Sequence, residues 1–177
     1  MVGDKYKFYI ENKFKNDLNI VFMEQIISTL KVMTKGEGFT NITKELNLFL
    51  RQNNLDSGLL ILSSLHTSCS LLVNENADPN VLKDLKKYFQ SIVPNRCYRD
   101  LSTNQETISY EHFQEGDDDM PAHIKTALTN TSLSLSFKNQ ILVLGTWQAI
   151  YLWEHRYGEI QRTLNIHAIG QKKKRYL

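Results

Sequence analysis

The chain has 177 residues and a mass of 20.6 kDa, with 41% hydrophobic and 23% charged residues. That composition excludes disordered and fibrous classes, and the length suits one domain able to bury about 70% of the surface its unfolded form exposes. Two cysteines, Cys69 and Cys97, with no CxxC pair exclude a disulfide framework and a thiolate zinc site.

The net charge of +2 is unevenly placed. Lys172, Lys173, Lys174 and Arg175 carry four positive charges, so the rest of the chain is mildly acidic. No basic face runs along it, which argues against nucleic acid as a partner. Met1 to Phe14 scatters its charges and lacks the apolar segment of a secretory signal. Ser57 to Asn74 is uncharged, but its five serines, His66, Thr67 and Asn74 would be penalised in a bilayer core. The sequence predicts a soluble, cytoplasmic protein with no membrane partner. Residues 1–23 read as an N-terminal extension, 24–169 as the domain and 170–177 as a basic tail.

In chain order, Tyr6, Phe8 and Ile10 alternate as in a short strand or extended arm, Ile20 to Phe22 begins another extended piece, and Ile26 to Met33 reads as a half-buried strand. Lys35-Gly36-Glu37-Gly38 is a turn signal. Thr43 is placed to cap a helix running to about Asn53, with Leu46, Phe49 and Leu50 on one face. Asp56-Ser57-Gly58 ends that connection, and Leu59 to Leu62 reads as a strand buried on both faces. Leu71 to Val73 is a second apolar run. Asp78-Pro79 opens a helix that carries Val81, Leu82, Leu85, Phe89 and Ile92 and stops near Pro94. Arg96 to Ser109 reads as a loop. A third helix starts at Asp118-Asp119-Met120-Pro121. Leu133, Leu135 and Phe137 alternate with serines in a strand, Lys138-Asn139-Gln140 turns, and Ile141 to Trp153 is expected as one long second strand. After Tyr157-Gly158, Ile160 to Ile169 places Ile160, Arg162, Leu164, Ile166 and Ala168 on one face. The expected class is α+β: one domain, a mainly antiparallel sheet and about three helices.

Polar residues where the apolar pattern predicts core mark the candidate chemistry. Leu59 to Leu65 runs into His66-Thr67-Ser68, and Leu71 to Val73 runs into Asn74-Glu75-Asn76. His66 alone suits a structural histidine, and Glu75 suits a loop or cap equally well. Tyr110-x-His112 precedes Glu115-Gly116-Asp117-Asp118-Asp119-Met120-Pro121-Ala122-His123. Asp119 and His123, four apart, share one helix face. Carboxylate and imidazole together favour zinc, manganese or iron, whereas magnesium prefers oxygens. Asp117 and Asp118 suit capping and complement the helix dipole. Gly145-Thr146-Trp147-Gln148 is the third cluster, with Thr146 and Gln148 on one face and Trp147 as core on the other. His155 and His167 read as structural. P-loop, GxGxxG, HExxH and GxSxG patterns are missing from the sequence.

These clusters resemble the YjbQ-like family, through His66-Thr67-Ser68, Asn74-Glu75-Asn76-Ala77-Asp78-Pro79, Tyr110-x-His112, Asp118 to Lys125 and Leu144 to Tyr151. The resemblance implies a compact α+β fold, a homotrimer and a polar, metal-capable pocket. It also implies a weak thiamine-phosphate synthase activity, in which a pyrimidine is joined to a thiazole phosphate as pyrophosphate departs. On that basis His66, His112 and His123, with Asp119, are expected to hold or orient a divalent cation, zinc or magnesium. Glu75 is expected as acid/base or orienting group, with Thr67, Asn74, Asn76, Thr146, Trp147 and Gln148 around a small-molecule substrate. The alternatives are another metal-dependent enzyme on a small phosphorylated metabolite, or a non-catalytic trimeric protein that binds a ligand or metal.

Overall fold

A computed structural model describes residues 23–103 and 106–172. The expected extended pieces at 6–10 and 20–22 lie outside these residues. Two antiparallel sheets face each other. One has the order β1-β10-β3-β7-β8, from β1 (Met23–Met33), β10 (Gln161–Lys172), β3 (Leu55–Ser64), β7 (Ser132–Lys138) and β8 (Ile141–Leu142). The other has the order β2-β9-β4, from β2 (Gly38–Asn41), β9 (Gln148–Glu154) and β4 (Cys69–Glu75). A small hairpin joins β5 (Cys97–Arg99) to β6 (Thr107–Ser109). The helices are α1 (Thr43–Gln52), α2 (Pro79–Ile92) and α3 (Asp119–Ala127).

Period-two patterning sets the register of the larger sheet. Ile26, Ala168, Leu60 and Leu135 form one row across four strands, and Ser28, Ile166, Leu62 and Leu133 form the next. Most of these side chains face Leu71, Ile150 and Leu152 of the second sheet and Leu46 and Leu50 of α1, forming one core. On the second sheet's far side Trp153 is buried, with ring centroids 4.6 Å from Phe39 and 4.7 Å from Phe89 of α2.

Several local expectations need correction. Leu59 to Leu62 is buried on one face only: Leu60 and Leu62 point inward, while Leu59 is 39% exposed. An antiparallel sheet can leave one side to water, and this one does. β3 already starts at Leu55, because the turn falls earlier, at Asn53 and Asn54, where Asn54 adopts a φ of 54°. Thr43 does not cap α1. Its Oγ1 accepts from the Ile150 amide of β9 at 2.8 Å, while Asn41 Oδ1 accepts from the Thr43 amide at 3.0 Å. Asp78 does cap α2, accepting from Asn80 N at 2.8 Å. The 96–109 segment holds the β5–β6 hairpin rather than loop alone. After the Asn139-Gln140 turn, whose φ angles are 54° and 65°, only Ile141 and Leu142 pair with β7. The chain then crosses to the second sheet, so the expected long strand is two strands in different sheets. Gly170 to Lys172, expected as tail, complete β10.

Candidate functional site

The segment Gly116 to His123 enters α3 at one end of the β4–β9 pair. Asp119 sits in the first turn and His123 one turn later, so both face the same way. His112, on the loop leading to α3, brings its ring centroid within 5.3 Å of that of His123. One ligand atom from each of His112, Asp119 and His123 lies within 4.8 Å of the other two.

Hydrogen bonds fix the orientation of this group. His123 Nδ1 lies 2.9 Å from the Thr67 carbonyl, which only accepts, so Nδ1 carries a proton and, in the neutral ring, Nε2 presents a lone pair. That Nε2 is 3.5 Å from Asp119 Oδ1, and His112 Nε2 is 3.2 Å from Asp119 Oδ2. Asp119 is 1% exposed. Its Oδ1 accepts from Arg156 Nη1 at 2.7 Å, whereas its Oδ2 is buried and receives no hydrogen bond among the described residues. Arg156 also donates to Asp118 Oδ2 through Nε at 3.2 Å, and to Glu115 Oε2 at 3.1 Å and the Glu115 carbonyl at 2.8 Å. Asp118 accepts from the Tyr157 amide as well, and Asp117 pairs with Arg96 at 2.6 Å. The acidic run therefore braces the site through side-chain partners, and the Asp118 side chain makes no capping bond to α3.

The loop beneath is anchored to the sheet. Arg162, buried and held by Glu154 at 2.6 Å, donates to the Ser68 carbonyl at 3.3 Å. The Thr163 amide donates to His66 Nε2 at 2.8 Å. That bond uses the Nε2 lone pair and leaves the proton on Nδ1. Burial, with the charge of Arg162, lowers the pKa of His66 and keeps the accepting form. Of the expected set of His66, His112, His123 and Asp119, the last three come together, and the Nε2 of His66 is taken by the Thr163 amide. His66 instead lines a shallow hollow of about 470 Å³ with Ser64, Thr67, His123, Thr126 and Thr131. His155 is structural, buried against Trp153 with Nε2 2.9 Å from Ser70 Oγ.

The remaining expected residues gather at the opposite end of β4. Glu75 pairs with Gln148 and Asn74 with Ala149 across β4 and β9. Asn76 Oδ1 accepts from Tyr151 Oη at 3.0 Å and from Asn41 Nδ2 at 3.3 Å. Glu75 Oε1 accepts from the Asp78 amide at 3.3 Å, as a loop or cap residue would. Gly145 to Gln148 is a turn: the Gly145 amide donates to Gln148 Oε1 at 2.8 Å, and Thr146 is exposed. Trp147, expected as core, is 66% exposed because it precedes β9 rather than lying within it. β4 has seven residues, which separates the two groups by about 20 Å within one chain.

Arg156 is the residue that sequence reasoning missed. The signal was an acidic run, Glu115 to Asp119, with too few nearby cations. The arginine lies 37 residues beyond Asp119, in the turn after β9.

Two facing antiparallel sheets with a two-histidine, one-carboxylate cluster at one end define an α+β domain with a metal-type donor set. The sequence matches the family described as UPF0047 protein YjbQ-like over residues 28–171, and the chain belongs to that family. It is 39% identical to the UPF0047 protein sll1880 of Synechocystis over 142 residues, covering 80% of this chain and 90% of that one. It is 42% identical to the UPF0047 protein YjbQ of Salmonella typhimurium, covering 72% and 86%. A conserved hypothetical protein of Thermus thermophilus is similar in structure, with a TM-score of 0.64, 33% identity and coverage of 78% and 97%. A protein of unknown function from Sulfolobus solfataricus shares the fold, with a TM-score of 0.70, 16% identity and coverage of 85% and 100%. No described helix is long and apolar enough to cross a membrane.

Proposed function

We propose that the protein is a cytoplasmic, homotrimeric, metal-assisted enzyme acting on a small phosphorylated metabolite, with thiamine-phosphate synthesis as a slow secondary reaction. The observation that carries this reading is Asp119 Oδ2, buried without a hydrogen bond among the described residues and 3.2 Å from His112 Nε2. Donor atoms around a tetrahedral ion with bonds of about 2.1 Å stand roughly 3.4 Å apart. The 3.2 Å between His112 Nε2 and Asp119 Oδ2 fits that spacing, and a ligand atom of His123 lies within 4.8 Å of both residues. Two imidazoles and a carboxylate suit zinc better than magnesium.

A divalent ion held there would offset negative charge on departing pyrophosphate. The chain's own groups have separate tasks. His123 is held in one tautomer by Thr67, and Arg156 fixes Asp119 from the protein side. The acceptors of Arg156 are carboxylates and one carbonyl, so it has little left for a phosphate. Substrate charge would be met mainly by the cation, which suits a slow secondary reaction better than an optimised one. In our reading Asn74, Asn76, Thr146 and Gln148 bind substrate oxygens and Glu75 moves or orients a proton. About 20 Å from the histidines along their own chain, they would serve a neighbouring subunit's site.

The test is formation of thiamine phosphate from the pyrimidine pyrophosphate and thiazole phosphate, with zinc or magnesium, after chelation, and in His112→Ala. Turnover should need metal and vanish in a His112→Ala protein with an unchanged circular dichroism spectrum. Mixed assemblies of His123→Ala and Asn76→Ala chains should regain part of it. Equal turnover after chelation would contradict the metal-assisted reading.

A further inference from the structure

His112 belongs to two features at once. Besides facing Asp119, it lines an open cavity of about 670 Å³ walled by Ile92, Tyr98, Ile108, Tyr110, Met120 and Ile124. α2 contributes Ile92, α3 contributes Met120 and Ile124, and the β5–β6 hairpin contributes Tyr98 and Ile108. The Tyr98 and Tyr110 rings stand 5.4 Å apart, tilted by 31°. Burial raises the Tyr110 phenol above its ordinary range.

Ile92, Tyr98 and Ile108 are 49%, 39% and 36% exposed, so apolar side chains from two elements converge on this hollow without being covered. Exposed apolar groups gathered in this way mark a binding surface. The volume falls in the range of small-molecule pockets, which pair apolar walls with a few convergent polar groups. Here Tyr110, Glu111 and His112 supply polar groups on the wall, and His112 links the cavity to Asp119, 3.2 Å away, and to His123.

We propose that this cavity binds the flat, apolar ring of a substrate whose phosphate group sits at His112, Asp119 and His123. The assignment rests on the metal-assisted reading above and adds the substrate class: an aromatic phosphate or pyrophosphate ester rather than a sugar phosphate. The ring lies against Ile108 and the two tyrosines. Glu111 and the acidic run beside α3 repel a bare phosphate, so the head group binds only with the cation in place.

Calorimetric titration of the zinc-loaded protein with phenyl phosphate and with inorganic phosphate tests this. Phenyl phosphate should bind at least about tenfold more tightly, because its ring leaves water. Ile108→Asn and Tyr98→Ala, both at partly exposed hairpin positions, should shrink that advantage below about threefold. Zinc content and inorganic-phosphate affinity should stay unchanged in both variants. If zinc and phosphate bind but phenyl phosphate has no advantage, or if the advantage survives in both variants, the pocket assignment is overturned alone. If the protein holds no zinc, the metal reading falls and takes the pocket assignment with it.

Discussion

Arg156 donates to Asp119 Oδ1 at 2.7 Å and leaves the second carboxylate oxygen facing His112. One guanidinium thereby fixes which side of a buried carboxylate meets the protein and which meets the site.

Removing Arg156 leaves Asp118 and Asp119, both buried, without their cation. Breaking a buried pair from one side costs about 3 kcal/mol, and in a domain of this size that lowers Tm by roughly 6–12 °C. Arg156→Ala is expected to show this loss in thermal unfolding, with metal affinity down about 10- to 100-fold. Arg156→Lys keeps the charge but cannot span Glu115, Asp118 and Asp119 together, so it should fall between. A wild-type Tm in Arg156→Ala would refute the bracing role.

Acid stability should depend on His155. Its pKa is lowered to about 3, first by burial and then by the charges of Lys125 and Arg162. The unfolded chain binds a proton near pH 6.5 that the folded chain refuses until about pH 3. Stability from this residue is therefore complete above pH 6.5 and falls as pH drops through that window, by up to about 1.4 kcal/mol per pH unit. His66 acts in the same direction. Urea unfolding midpoints measured from about pH 7 to 4 should fall less steeply in His155→Gln than in wild type. Parallel curves would contradict the assignment.

Trp147 offers a contrast with Trp153. The exposed ring of Trp147 adds little to the core, so Trp147→Ala should change stability by less than about 0.5 kcal/mol. Trp153→Ala empties a site between Phe39 and Phe89 and should cost about 3–5 kcal/mol. Chemical denaturation of the two variants side by side measures the difference.

The α+β class, the Asp78 cap, the apolar faces of the helices and the inward residues of β7 and β10 were legible because period and capping chemistry are local. Asp119 and His123 were legible for the same reason, being one helical turn apart. What was hidden depended on which strand pairs with which. Leu59 looked buried because a run of apolar residues does not reveal that one sheet face stays open. Trp147 looked like core because the crossing between sheets after Leu142 leaves no mark in the apolar pattern. His66 resembled a ligand until the Thr163 amide, 97 residues away, occupied its Nε2. Arg156 was obscured by lying 37 residues beyond Asp119 in sequence.

The measurement that bears most directly on the site is elemental analysis of protein purified without chelators, wild type beside His112→Ala, His123→Ala and Asp119→Asn. About one bound divalent ion per chain is expected in the wild type, chiefly zinc, and less than about a tenth of that in each variant. Equal metal content in all four proteins, or none in the wild type after zinc supplementation, would contradict a metal centre at His112, Asp119 and His123.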